Sequence, residues 1–140
     1  TSSNLASVRT EENTIRMVAS QRSSVESAKW NVASTLAATF RLAGAKVEHG
    51  DGYPGWTPNT DSKLLAIAVE KYRELFNQSP KVLAIHAGLE CGLFLEKFND
   101  LDMISFGPTL RGVHAPGERL ELASMDKFVD LLEDVVCNFR

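Results

Sequence analysis

Ile104-Ser105-Phe106-Gly107-Pro108-Thr109-Leu110-Arg111-Gly112-Val113-His114-Ala115-Pro116-Gly117-Glu118-Arg119 passes from an apolar, strand-like run into a loop of glycines and prolines that presents one histidine. Residues 103–106 are expected to form a short strand that ends in this loop. The same form stands upstream, where the apolar run 82–86 leads into His86-Ala87-Gly88-Leu89-Glu90-Cys91-Gly92. A continuous apolar run of this length suits a strand covered on both faces. Helical periodicities surround these runs. Leu64, Leu65, Ile67, Ala68, Tyr72, Leu75 and Phe76 mark a helix that Asn59 or Asp61 can cap and that ends before Pro80. After a short segment at 93–98, Ser124 can cap a last helix with the stripe Met125, Phe128, Leu132, Val135 and Phe139. Helix and strand in alternation predict an α/β layered arrangement, with helices against a sheet edge.

The first half reads differently. Residues 5–9 and 14–22 are extended segments around the polar turn Thr10-Glu11-Glu12-Asn13, a hairpin whose Ile15, Met17 and Ala19 are expected to face a core. Ser23-Ser24-Val25-Glu26 has capping-box spacing, and Val25, Ala28, Val32, Leu36, Phe40 and Ala43 recur at helical intervals until Gly44 supplies a stop. Residues 45–49 return as a short strand. Strand, strand, helix, strand is the latter half of a small split β-α-β sandwich. Gly50-Asp51-Gly52-Tyr53-Pro54-Gly55-Trp56-Thr57-Pro58-Asn59 then gathers glycine and proline between two periodic regions. It reads as a domain crossing, and its Tyr53 and Trp56 favour a packed crossing over a free tether.

The composition excludes several classes. At 140 residues and 44% hydrophobic content the chain can bury one ordinary core or two small ones. No apolar run reaches the roughly 20 residues that span a bilayer, so no membrane association is expected. A net charge of −3 with scattered Lys and Arg argues against a nucleic-acid partner. Cys91 and Cys137 stand far apart and outside any C-x-x-C spacing, which favours reduced thiols and a cytoplasmic location.

Four places carry chemistry. His86 and Glu90 are either a ligand pair at a strand end, or a hydrogen-bonded core histidine followed by a helix-capping carboxylate. His114 lies among Gly107, Pro108, Gly112 and Pro116 with no apolar periodicity to make it core. It is either a solvated ring or a functional one, which Glu118 or another carboxylate can orient through its second nitrogen. Arg22 ends a strand just before a helix, where a guanidinium either grips a carboxylate bidentately or forms a surface salt bridge. Cys91 lacks a paired base nearby in sequence and reads as a small buried residue, and His49 as an exposed one.

Thr1-Ser2-Ser3-Asn4-Leu5, Gln21-Arg22-Ser23-Ser24, Tyr53-Pro54-Gly55-Trp56, residues 85–94 and residues 103–118 together resemble the Xaa-His dipeptidases of the M20 metallopeptidase family. The resemblance covers nearly the whole chain and falls on the family's last third. It implies a partial M20 zinc-peptidase fold of the α/β class, an α+β lid remainder followed by an α/β layered catalytic remainder. Residues 1–52 would be the second half of a lid and dimerisation domain, and 53–140 the C-terminal part of the catalytic domain. The implied activity is hydrolysis of dipeptides, particularly those ending in histidine, by metal-activated water with two zinc ions. The implied partners are a small dipeptide substrate and a second copy joined through the lid.

The resemblance also assigns residues. His114 falls on the last metal-binding histidine, Arg22 on the lid arginine that contacts the substrate carboxylate, and Asn4 on a lid asparagine that is a further candidate for substrate contact. Gly88, Leu89 and Glu90 match a loop lining the substrate end of the cleft. Ala115 and Gly117 depart from the Ser and Asp that relatives often carry there. No catalytic residue is assigned, because the remaining ligands and the general-base Glu have no counterpart in this sequence. A catalytic zinc needs three or more protein ligands, so the isolated chain is expected to be inactive. Two other readings stand beside this one: a noncatalytic interaction module pairing the lid's exposed strand edge with another chain, and a small-molecule binding domain using the loop 88–92 without metal.

Overall fold

The computed structural model describes residues 1–86 and 90–139. It divides into two compact units, Thr1–Pro58 with Leu83–Leu101, and Asn59–Val82 with Asp102–Arg140. Helices and small two-stranded sheets make up both, so the mixed α/β class holds.

In the first unit β1 (Ser2–Glu11) pairs antiparallel with β2 (Thr14–Arg22), from Ser2 opposite Arg22 to Glu11 opposite Thr14. Thr10 and Glu11 join the ladder, which leaves Glu12 and Asn13 as the turn, Glu12 at φ 45°. A bulge between Leu5 and Ser7 shifts the register by one residue. Since side chains alternate between faces, that shift puts Val8 and Thr10 on the same side as Leu5, opposite Met17 and Ile15. Leu5, Val8, Ile15, Met17 and Ala19 thereby share one face, while Val18 lies on the other, opposite Ser7.

The helix α1 (Glu26–Leu42) packs on β2, and its buried residues are the small Ala33 and Ala37. Gly44 ends it as read: at φ 81° its N–H donates to Arg41 O while the Ala45 N–H donates to Phe40 O, both at 3.0 Å. The start differs from the expected capping box. Ser23 Oγ accepts from the Val25 N–H, and Glu26 turns instead to the Gly55 N–H at 2.9 Å. Ile15 and Met17 also depart from expectation, being 64% and 47% exposed. From Thr14 to the half-buried Gln21, β2 borders an open groove of about 900 Å³ that Trp30, Ala33 and His49 also line. Residues 45–49 run along that groove without joining the ladder. His49 is exposed, as expected, with its ring edge-on to Trp30 at 5.7 Å.

The crossing 53–57 is tied down chiefly by main-chain atoms. Lys29 donates to Tyr53 O at 2.8 Å, and Thr57 Oγ1 donates to Ser24 O at 2.6 Å. Of its aromatics, Trp56 is half-buried but Tyr53 is exposed. α3 (Glu90–Lys97) approaches so closely that a Cβ on Gly92 would stand 2.9 Å from Pro54 O.

The second unit joins α2 (Lys63–Phe76) to α4 (Met125–Asn138). Ala68, Leu131 and Val135 form the buried core, with Leu64, Tyr72, Phe76 and Ile104 packed around it. Leu131, and not the expected Leu132, lies inside, because Phe128, Leu131 and Val135 follow the 3-then-4 spacing of one helical stripe while Leu132 turns outward. Both expected caps are replaced. Ser62 caps α2, accepting from the Leu65 N–H at 2.9 Å, while Asn59 accepts from the Asp61 N–H. Ser124 stands at the start of α4 but accepts from the Thr109 N–H and donates to Glu121 O, serving the loop before the helix.

The runs 82–86 and 103–106 are not strands. A strand exists only as one side of a ladder, and neither run has a hydrogen-bonded neighbour among the described residues. Val82, Leu83 and Ile85 are accordingly 57%, 78% and 54% exposed. The sheet of this unit is instead β3 (Leu110–Arg111) with β4 (Arg119–Leu120), which closes the glycine loop at its base. Among the described residues no helix is long and apolar enough to cross a membrane.

Candidate functional site

The loop 112–118 is a designed-looking piece of backbone. Gly112 and Gly117 take φ 64° and 87°, conformations open to a residue without Cβ. Ala115 N donates to Gly112 O at 3.0 Å and Glu118 N to Ala115 O at 3.1 Å, so two consecutive turns fill the span. The pair Leu110 with Leu120 and Arg111 with Arg119, together with the Arg111–Glu121 ion pair at 2.9 Å, clamps the loop's two ends. Within it stands His114, exposed and at φ 64°, a left-handed backbone that a residue with a Cβ adopts at a cost. Its N–H donates to Glu118 Oε2 at 3.1 Å. Glu118 therefore holds the histidine by its main chain and not, as expected, by the second ring nitrogen.

Asn4 and Arg22 belong to the hairpin. Asn4 lies opposite Ser20 and Arg22 opposite Ser2, so the two occupy one face as diagonal neighbours, away from the apolar face. Both are exposed, and among the described residues Arg22 forms no salt bridge, which leaves its guanidinium available to an anion. Glu90 is the exposed first residue of α3, where a carboxylate suits the helix's positive end. Gly88 and Leu89 lie outside the described residues. His86 is exposed, so the core-histidine alternative does not hold. Cys91 is half-buried, and that burial pushes its thiol pKa up, as expected of an unreactive thiol.

No three His, Cys, Asp or Glu side chains converge to hold a metal ion among the described residues. The described residues therefore do not by themselves form a complete metal centre. Sequence reasoning missed Asp102. Its Oδ2 accepts from the Leu64 N–H at 3.1 Å, anchoring the stretch before the loop to the start of α2. Hydrogen bonds from Ser62 and from that N–H hold its carboxyl below the usual range, against the opposing effect of burial. No local pattern around Leu101-Asp102-Met103 announces this, since the partners lie 38 and more residues away.

The chain belongs to peptidase family M20/M25/M40, which it matches over residues 6–138. It is 39% identical over 136 residues to the cytosol non-specific dipeptidase of Escherichia coli (strain K12), covering 97% of this chain and 28% of that protein. The crystal structure of aminoacylhistidine dipeptidase from Vibrio alginolyticus matches with a TM-score of 0.74 at 34% identity, over 99% of this chain and 28% of that one. The chain thus spans little more than a quarter of the length of these relatives.

Proposed function

We propose that this chain is the C-terminal part of a cytoplasmic, zinc-dependent dipeptidase that hydrolyses Xaa-His and related dipeptides. Residues 1–52 complete a lid that dimerises, and 53–140 complete the catalytic domain. His114 supplies one metal ligand, and the other ligands and the general base come from polypeptide outside this sequence. Two bound zinc ions would supply an activated water for attack on the peptide carbonyl. Arg22, with Asn4 beside it, grips the substrate's terminal carboxylate, and the loop at Gly88, Leu89 and Glu90 lines the substrate end of the cleft.

The observation that carries this reading is the exposed His114, fixed at the tip of a clamped loop in a chain of this family. The test uses β-alanyl-histidine or glycyl-histidine with zinc. The 140-residue chain should show no turnover, and the full-length protein should lose turnover on His114→Ala. Tight binding of two zinc ions by the isolated chain would refute the reading, because one histidine cannot provide two sites.

A second reading is favoured by the apolar hairpin face. Leu5, Val8, Ile15 and Met17 are between 47% and 64% exposed, enough to promote association. Under this reading the isolated chain is a noncatalytic interaction module, and light scattering of the purified chain separates a monomer from a self-associating species.

A further inference from the structure

We propose that Glu118 is the positioning residue for His114 and acts through the backbone. The left-handed region costs a residue with a Cβ on the order of 1–2 kcal/mol, and glycine or asparagine would occupy position 114 more cheaply. Strain of this kind persists where the surroundings over-determine it, and it collects at sites that need the side chain. Here the over-determining group is identifiable. The Glu118 carboxylate accepts the His114 N–H at 3.1 Å, and the turn Glu118 N to Ala115 O returns the carboxylate to that spot. The ion pair Arg111–Glu121 and the β3–β4 ladder hold the frame outside it. Glu118 thus stabilises the one backbone conformation in which the loop displays its imidazole, and leaves both ring nitrogens free of that task.

The consequence for metal binding rests on the proposed function, whereas the conformational lock does not, and the experiments separate the two. In the 140-residue chain, NMR should show the strong intraresidue amide-to-Hα cross-peak of a positive φ at His114. Glu118→Ala should lose it, and Glu118→Gln, whose amide oxygen can accept the same N–H, should keep it. A second variant guards against simple unfolding. Since glycine takes the left-handed backbone unaided, His114→Gly/Glu118→Ala should recover the thermal midpoint that Glu118→Ala lowers. Retention of the cross-peak in Glu118→Ala, or no recovery in the double variant, overturns the lock.

In the full-length protein, zinc affinity measured by competition with a chelating indicator should fall roughly 10-fold in Glu118→Ala, as for other supports of metal ligands, and return in Glu118→Gln. If His114→Ala lowers zinc affinity while Glu118→Ala does not, the positioning role is overturned. If neither lowers it, the ligand reading fails and the lock, read by the cross-peak, stands.

Discussion

Asp102 offers the most direct test of how the second unit is held together. Replacing it by Ala removes the acceptor for the Leu64 N–H in the first turn of α2, beside the cap that Ser62 Oγ makes to the Leu65 N–H. Loss of a capping acceptor costs about 1 kcal/mol, and a hydrogen bond to a charged group contributes about 1.5–3 kcal/mol. A net loss of about 2 kcal/mol is expected, which corresponds to a roughly 30-fold larger opening equilibrium, and so roughly 30-fold faster exchange, at about 1.4 kcal/mol per factor of ten. Amide hydrogen exchange at Leu64, Leu65 and Ala66 reads this locally, without assuming that the two units unfold together. Asp102→Asn should lose less, because its amide oxygen still accepts. The pH dependence follows from the depressed carboxyl. Its folded pKa lies below the unfolded value of about 3.9, so the unfolded chain takes up the proton first. The stabilisation is complete above the unfolded pKa and is lost as pH falls through the folded one. Asp102→Asn should flatten that acid limb. Unchanged exchange at Leu64 and Leu65 in Asp102→Ala would refute the anchoring role, and an acid limb equally steep in Asp102→Asn would refute the linkage.

Three further outcomes are expected. Gly55→Ala places a Cβ 2.8 Å from Ser23 O and 3.1 Å from Ser24 O, backbone atoms that cannot swing aside, so a loss of about 1–3 kcal/mol should appear in urea unfolding. Leu131→Ala empties a core position that is 8% exposed and should cost about 2–5 kcal/mol, seen as a lower thermal midpoint followed by helical circular dichroism. Ile15→Lys with Met17→Lys charges the open hairpin face and should shift any self-associated species in light scattering toward the monomer, with little change in stability because both side chains are already exposed.

What was legible in the sequence is what local chemistry determines. The hairpin, α1 with its Gly44 stop, α2 and α4 follow from periodicity and from one glycine at φ 81°. The caps were legible only as the presence of short polar side chains near helix starts. Ser62 does what Asp61 was expected to do, and Ser124 is drawn to Thr109 and Glu121 instead of α4, because which hydroxyl meets a free N–H depends on chain path and not on spacing. His114 was legible as an exposed loop residue because a histidine among glycines and prolines has no place in a core. The role of Glu118 was half legible: the residue was right, but the atom it binds is the backbone nitrogen.

The three runs expected to be strands show where sequence reading stops. Residues 45–49, 82–86 and 103–106 have strand composition, yet a strand's stability comes from a partner ladder and from cover on its faces. Leu83 at 78% exposure sits in a run whose composition asks for burial on both sides. In the proposed full-length enzyme, the rest of a polypeptide more than three times this length would supply both the ladder and the missing zinc ligands. The two deficits then have one origin, and one comparison tests it: amides of 82–86 should exchange rapidly in the isolated chain and slowly in the full-length protein. Equal rapid exchange in both would mean that these runs are not strands of that fold, and would remove the link between the exposed apolar segments and the incomplete metal centre.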